Sequence, residues 1–184
     1  MTTTLPPLPP AAAGLLARVG APPRLLAHLA LVHEVAQRIA EFCERQGLPF
    51  DREAVLFGAA THDIGKTVHP EELSVPGSAH ERAGHALLRA AGVPERLARF
   101  AGRHGSWSRP DTTVEDLLVS LADKAWKNRR VRDLEDRVVE RLAAATGQQP
   151  WEAFLALDDL LTGIGEDAPR RLAVQAAHPV RTVS

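Results

Sequence analysis

Helical periodicity is the feature of this 184-residue sequence that most limits its fold. The apolar residues that recur every three or four positions are Leu25, Leu29, Val32, Ala36 and Ile39. Their spacing predicts the buried face of one amphipathic helix over residues 23–46. No segment shows the regular alternation of apolar and polar residues that predicts a β-strand. The chain is therefore predicted to be all-α, folded as a single compact helical bundle.

Capping residues predict where several of the other helices begin. Asp51 can cap a second helix that runs to residues 61–62, because an aspartate accepts a hydrogen bond from the first helical turn. Ser78 with Glu81, and Thr112 with Glu115, have the spacing of a capping box. Further helices are predicted over residues 94–103, 113–128, 131–144, 150–161 and 169–177.

Proline and glycine predict the segments that are not helical. Residues 1–10 contain four prolines and three threonines and are predicted to form a flexible tail. Residues 64–77 contain two prolines and two glycines and are predicted to be a loop. The remainder, residues 11–184, is predicted to be one helical domain with a core at about 24–128 and an extension at 131–184.

Charge and composition argue against several classes of protein. The chain has 22 basic and 23 acidic residues and a net charge of -1, so duplex nucleic acid and anionic membranes are not expected partners. The single cysteine, Cys43, cannot form an intrachain disulfide, and the first residues lack the pattern of a secretory signal. We therefore expect the protein in the cytoplasm and without a membrane span.

The run His62-Asp63-Ile64-Gly65-Lys66 is the first candidate for chemistry. It lies where a predicted helix meets a loop, so the imidazole and the carboxylate can converge on one cation. A His-Asp pair alone is weak support. Other candidates lie beside the apolar faces of separate predicted helices and strengthen the hypothesis of a metal site; they are His28, His80, His104 and Asp123.

These residues resemble the order H…HD…D of the HD-domain superfamily of metal-dependent phosphohydrolases. The resemblance is carried by Arg24-x-x-x-His28, by the HDIGK run, and by Asp123 in the run LADK, over residues 24–128. His80, four residues before Gly84, together with His104, resembles the branch with two metal ions, which includes bacterial diadenosine-tetraphosphate hydrolases. The cyclic-dinucleotide phosphodiesterases of that branch carry a GYP signature, whereas this chain has residues HGSW at 104–107.

The resemblance implies a set of ligands for one or two divalent transition-metal ions. It makes His28, His62, Asp63 and Asp123 the ligands of a first ion, and Asp63, His80 and His104 those of a second. Imidazole and carboxylate without thiolate suit Fe, Mn, Zn, Ni or Co at a catalytic site. Mg is kept as an alternative.

Two of these histidines have rivals nearby in the sequence. His33 lies about 140° around the helix from His28, so both cannot face one cluster. We favour His28, since an apolar and a small residue follow it at the spacing that the family shows. The same angular argument separates His80 from His85, and we favour His80 because Gly84 follows it by four residues.

The expected function is hydrolysis of a phosphate ester or anhydride, with a small phosphorylated substrate that we expect to be a nucleotide. Water activated by metal would be the nucleophile. The resemblance and the chemistry make Asp63 and Lys66 catalytic, and Arg24, Lys66, Lys124 and Lys127 candidates for holding phosphates. One alternative is a non-catalytic sensor that binds a nucleotide or a metal, and another is a helical interaction domain. The extension at 131–184 either caps the pocket or forms a homodimer surface.

Overall fold

Residues 4–181 are described by the structure, a computed structural model. They form nine α-helices and two short 3₁₀ helices, and no strand occurs among them. The α-helices are α1 (Pro10–Arg18), α2 (Pro23–Gln46), α3 (Arg52–Thr61), α4 (Ala79–Ala90), α5 (Glu95–Arg103), α6 (Val114–Ala125), α7 (Arg132–Thr146), α8 (Pro150–Glu166) and α9 (Ala168–Ala176). The prediction of an all-α bundle is confirmed.

The long helix α2 lies at the centre of the bundle and has the predicted bounds. All five residues of its predicted apolar face are fully buried, and burial of each large aliphatic side chain stabilises the fold by about 1.5–3 kcal/mol. The helix ends at Gly47, whose φ of 82° lies in the left-handed region that glycine adopts without strain. Helices α3, α6, α7, α8 and α9 all contact α2.

Of the three predicted helix caps, one is present in the structure and two differ. Asp51 caps α3 as predicted, because its carboxylate accepts a hydrogen bond from the backbone N–H of Ala54 at 3.0 Å. The capping box of α6 is formed by Thr113 and Asp116, one residue later than the predicted pair of Thr112 and Glu115. Glu115 instead accepts a hydrogen bond from the backbone N–H of Asp51, so it joins the starts of two helices.

The predicted capping box of Ser78 and Glu81 is wrong. Ser78 makes no side-chain cap, and its backbone (φ −132°, ψ 3°) is not in the extended region typical of capping residues. The N–H groups of Ala79 and His80, at the start of α4, donate instead to the carboxylate of Glu72, at 3.0 and 3.1 Å. Glu72, in the preceding 3₁₀ helix, therefore replaces the predicted local cap.

The predicted loop at residues 64–77 contains the two 3₁₀ helices, Ile64–Thr67 and Pro70–Leu73. The first packs directly on α4 through Gly65. A Cβ atom at Gly65 would lie 1.9 Å from the carbonyl oxygen of His80 and 2.5 Å from the backbone nitrogen of Gly84. Glycine is therefore required for this close approach, which holds the start of α4 beside the end of α3.

The first of the described residues contribute to packing. The predicted tail falls partly on residues 1–3, which lie outside the described residues. From residue 4 onward, Leu5 and Leu8 are partly buried and pack against the hydrophobic core. This part of the predicted flexible tail is therefore packed on the domain. None of the helices at residues 4–181 combines the length and apolarity needed to cross a bilayer.

Candidate metal centre

Six buried side chains from five helices or their ends converge at one place in the bundle. The six residues to which they belong are each no more than 8% exposed. His28 lies on α2, His80 in the first turn of α4, and Asp123 on α6. His62 and Asp63 follow α3 directly, and His104 follows α5. The structure thus brings together all six candidate ligands.

The first group of atoms surrounds Oδ2 of Asp63 and Oδ1 of Asp123. The Nε2 atom of His28 lies 3.1 Å from Asp63 Oδ2 and 3.9 Å from Asp123 Oδ1. The Nε2 atom of His62 lies 3.4 Å from Asp123 Oδ1 and 3.4 Å from Nε2 of His28. Two imidazoles and two carboxylates therefore point at one small volume.

The second group surrounds the other oxygen of Asp63. The Nε2 atoms of His80 and His104 lie 3.0 and 3.3 Å from Asp63 Oδ1, and they are 3.4 Å apart. Asp63 consequently belongs to both groups, with one carboxylate oxygen facing each. This is the arrangement expected of a carboxylate that bridges two metal ions.

Local backbone geometry explains how His62 and Asp63, adjacent in sequence, share one site. His62 ends α3 with helical dihedral angles, whereas Asp63 has φ −101° and ψ 12° and begins the turn into the first 3₁₀ helix. Successive residues within an α-helix point about 100° apart. The change of backbone conformation at Asp63 removes that divergence.

The hydrogen bonds of His62 and His104 indicate that the Nε2 atoms of these two rings are free to bind a cation. Nδ1 of His62 contacts the carbonyl oxygen of Ala59 at 2.9 Å, and Nδ1 of His104 contacts that of Phe100 at 3.2 Å. A carbonyl oxygen can only accept, so Nδ1 carries the proton and Nε2 of the neutral ring carries a lone pair.

These lone pairs lie 3.7 and 3.3 Å from oxygens of Asp63. The lone pairs and the carboxylate would repel each other without a positive charge between them. Asp63 Oδ1 is buried and has no hydrogen-bond donor among the described residues. A buried carboxylate oxygen without a donor is costly unless a cation compensates it. The donor set therefore fits one or two divalent ions, and its imidazoles favour transition metals.

The pKa values of the carboxyl groups agree with a cation site. Burial alone would raise the pKa of Asp63, but its contacts with the imidazole groups of His62, His104, His28 and His80 hold that pKa well below its ordinary value. Burial opposes ionisation of Asp123 too, yet His62 and Lys124 keep its pKa well below normal. Both carboxylates are thus charged at neutral pH.

Three of the four basic residues predicted to hold phosphates line a cavity beside the candidate ligands. Lys66 Nζ lies 2.6 Å from Asp63 Oδ2, and the ammonium group of Lys124 pairs with Asp123. Lys127 lies over the ring of Trp126, 5.9 Å from its centroid. These three lysines line a cavity of about 530 Å³ that opens onto the metal ligands, as does Arg129.

Arg24 is placed elsewhere. Its guanidinium donates to the carbonyl oxygens of His178 and Ala176, at 2.9 and 3.2 Å, and Arg24 is not among the described residues that line the cavity. Its predicted role in holding phosphates is therefore corrected to a structural one, in which it holds the carboxyl end of α9 against α2.

The two rival histidines also lie apart from the six ligands. His33 is 3% exposed, and its ring nitrogens have no hydrogen-bond partner among the described residues. His85 is more exposed and pairs with Glu95 at 2.9 Å. In the structure, His28 and His80 reach the centre.

Some residues at the site had no signal in the sequence. Glu72 lies in the predicted loop, yet its carboxylate contacts Nδ1 of His80. Leu172 and Gln175 of α9 line the cavity although they are distant in sequence from every ligand. Trp126 is buried but also lines the cavity and packs edge-on against His28. Only its position three residues after Asp123 hinted at this contact.

Comparison with known proteins agrees with this geometry. The family model described as HD domain matches residues 25–125, which includes all six candidate ligands. No solved structure matches the chain. The matched segment covers more than half of the 184 residues and contains the His62-Asp63 pair at the centre of the site, so the chain belongs to the HD domain family.

Proposed function

We propose that the protein is a metal-dependent phosphohydrolase that hydrolyses a phosphate ester or anhydride of a nucleotide. The observation that carries the proposal is the position of Asp63, which presents one carboxylate oxygen to each of two groups of histidines. Membership of the HD domain family supports the same class of reaction.

His28, His62, Asp63 and Asp123 would hold one divalent ion, and Asp63, His80 and His104 a second. Such ions lower the pKa of water towards neutrality and offset negative charge on a phosphoryl group. We expect Fe, Mn, Zn, Ni or Co in preference to Mg, because Mg²⁺ prefers oxygen ligands and four of these six side chains are imidazoles.

The chain's own residues bind and orient the substrate. Lys66 and Lys124 each contact a ligand carboxylate, so their ammonium groups stand beside the place where a phosphoryl group would react. There they would stabilise the charge that develops on its oxygens. Lys127 and Arg129, further along the cavity wall, would hold the remaining phosphates of a nucleotide.

A hydrolysis screen tests the proposal. Purified protein is loaded in turn with Mn, Co, Ni, Fe or Mg and offered a panel of nucleotides, while bound metal is measured by elemental analysis. We expect hydrolysis of at least one nucleotide, and a loss of about 10³-fold or more in kcat/KM for Asp63→Ala. Asp111→Ala is the control, because Asp111 is an exposed aspartate paired with Arg103.

Three outcomes would contradict the proposal. Unchanged activity of Asp63→Ala would reject the mechanism. Metal and nucleotide binding without turnover would identify the non-catalytic sensor instead. A wild-type protein that binds no metal would favour the helical interaction domain.

A further inference from the structure

Glu72 lies in the second 3₁₀ helix, outside the six candidate ligands, and its side chain is only 8% exposed. Its Oε2 atom contacts Nδ1 of His80, on the side of the ring opposite to Asp63. The same carboxylate accepts the two backbone N–H groups that begin α4. Glu72 therefore touches both the helix that carries His80 and the ring itself.

The position of His80 explains why its ring needs a partner from another segment. His62 and His104 end their helices, and their Nδ1 atoms contact carbonyl oxygens three or four residues earlier. His80 is in the first turn of α4. A helix offers no carbonyl oxygen of a preceding turn at that position, and Glu72 supplies the missing acceptor.

The surrounding chain is shaped to admit this carboxylate. A Cβ atom at Gly77 would lie 2.3 Å from Oε1 of Glu72, so a larger residue at position 77 would displace the carboxylate from the start of α4. By contrast, the neighbouring Glu71 is 60% exposed and pairs with the partly buried ring of His69, at 3.3 Å.

We propose that Glu72 is a positioning residue of the metal centre, which holds the proton of His80 on Nδ1 and thereby keeps the lone pair of Nε2 directed at Asp63 Oδ1. The proposal rests on the metal centre described under Proposed function. A carboxylate that accepts from the outer nitrogen of a ligating histidine fixes its orientation and raises its basicity. Loss of this contact should weaken the binding of metal by His80, His104 and Asp63.

The first test needs no metal. In ¹⁵N NMR spectra of the metal-free protein, recorded at a pH where the ring is neutral, wild-type His80 should be a single tautomer with the proton on Nδ1. Glu72→Ala should shift His80 towards a mixture of tautomers, whereas Glu71→Ala should not. An unchanged tautomer in Glu72→Ala would overturn the proposal.

The second test measures binding of Mn²⁺ to each group by calorimetry. We expect Glu72→Ala to lower the affinity for one of two bound Mn²⁺ ions by about 10- to 100-fold and to leave the affinity for the other within about twofold. Glu71→Ala should bind both ions as the wild type does. Glu72→Gln keeps an acceptor for the backbone N–H groups but lacks the charge, so it should fold and show an intermediate loss.

The outcomes separate this proposal from the one on which it rests. A wild-type protein that binds two Mn²⁺ ions, with equal affinities in Glu72→Ala and Glu72→Gln, would overturn the role of Glu72 and leave the metal centre intact. A wild-type protein that binds no Mn²⁺ or other tested metal would reject the metal centre itself. A lower melting temperature in Glu72→Ala without metal reports only the lost cap of α4.

Discussion

At the scale of single residues, the lysines of the cavity differ in what they contact. Lys66 lies 2.6 Å from a carboxylate oxygen of Asp63, whereas Lys127 lies over the Trp126 ring. Under the proposed function, we expect Lys66→Met to lower kcat by about 10²–10³-fold, because it would remove a charge beside the reacting phosphoryl group. Lys127→Met should raise KM by about tenfold with little change in kcat. Steady-state kinetics with the best substrate measures kcat and KM for both variants. Equal effects of Lys66→Met and Lys127→Met on kcat would contradict these separate roles.

The protonation of His104 predicts how metal binding depends on pH. Burial lowers the pKa of His104, but its hydrogen bond to Asp63 and the charges of Asp63 and Asp123 outweigh burial and leave the pKa raised. The proton therefore competes with metal already above the ordinary histidine pKa of about 6.5. Affinity should fall as pH is lowered through this raised pKa, by about tenfold per pH unit for one displaced proton.

Chelator competition between about pH 8 and pH 5 measures this dependence. The carboxyl groups of Asp63 and Asp123 do not produce it, since their pKa values are lowered well below normal. Affinity that stays constant down to the pKa range of free carboxyl groups would contradict the role of His104 as a ligand.

At the scale of elements, the contact between the first 3₁₀ helix and α4 sets the position of His80. A Cβ atom at Gly65 would overlap the backbone of His80 and Gly84, so Gly65→Ala must push α4 away. We expect a loss of about 1–3 kcal/mol in the free energy of unfolding and weaker binding of one metal equivalent. Urea denaturation and calorimetry measure the two effects.

Gly14→Ala is the control for that substitution. Gly14 lies within α1, and its added Cβ atom would meet no atom within 4 Å. The exchange should therefore stabilise the protein by up to about 1 kcal/mol through helix propensity. If Gly65→Ala behaved in the same way, the close contact would not position α4.

Helix α9 forms part of the cavity wall although it lies outside the matched family segment. Leu172 is 42% exposed and faces a cavity lined by lysines and Arg129. A carboxylate at this position should repel a phosphorylated substrate, so we expect Leu172→Glu to raise KM by about tenfold. Ala173→Glu is the matched control, because Ala173 is exposed on α9 and is not among the described lining residues. Equal KM values would show that α9 does not meet the substrate.

At the scale of the whole molecule, Arg171 joins three helices through a buried guanidinium. The side chain is 1% exposed; it donates from Nε to the carbonyl oxygen of Trp126 at 2.7 Å, and from Nη2 to that of Ile164. Arg171 thus connects α9 with the ends of α6 and α8. Burial lowers its pKa, but an arginine stays charged at neutral pH.

We expect Arg171→Met to lower the free energy of unfolding by about 3 kcal/mol, since it leaves two buried carbonyl groups without charged donors. Arg170→Met removes an exposed arginine that pairs with Glu34, and should change stability by less than about 1 kcal/mol. Urea denaturation of both variants gives the comparison. A stable Arg171→Met protein would mean that the two buried hydrogen bonds of Arg171 are not needed to hold α9.

Local chemistry explains why much of the fold was predictable. The spacing of apolar residues identifies α2, and the side chain of Asp51 identifies the start of α3, because both signals act within a few residues. The six candidate ligands could be named for a related reason. Their residue types suit a cation, and each is placed next to an apolar face or a helix end that turns it inward.

Contacts between distant segments were decided only by the tertiary structure. Glu72 replaces Ser78 at the start of α4, Arg24 turns to the last helix, and Leu172 faces the cavity. Each of these contacts depends on which segment of the backbone packs against the residue. The neighbouring residues in the sequence do not show which segment that is. The amino-acid sequence by itself determined the helices and indicated which residues could hold a metal. The division of those residues around the two oxygens of Asp63 required the helices to pack, because it depends on distances of a few ångströms between atoms far apart along the chain.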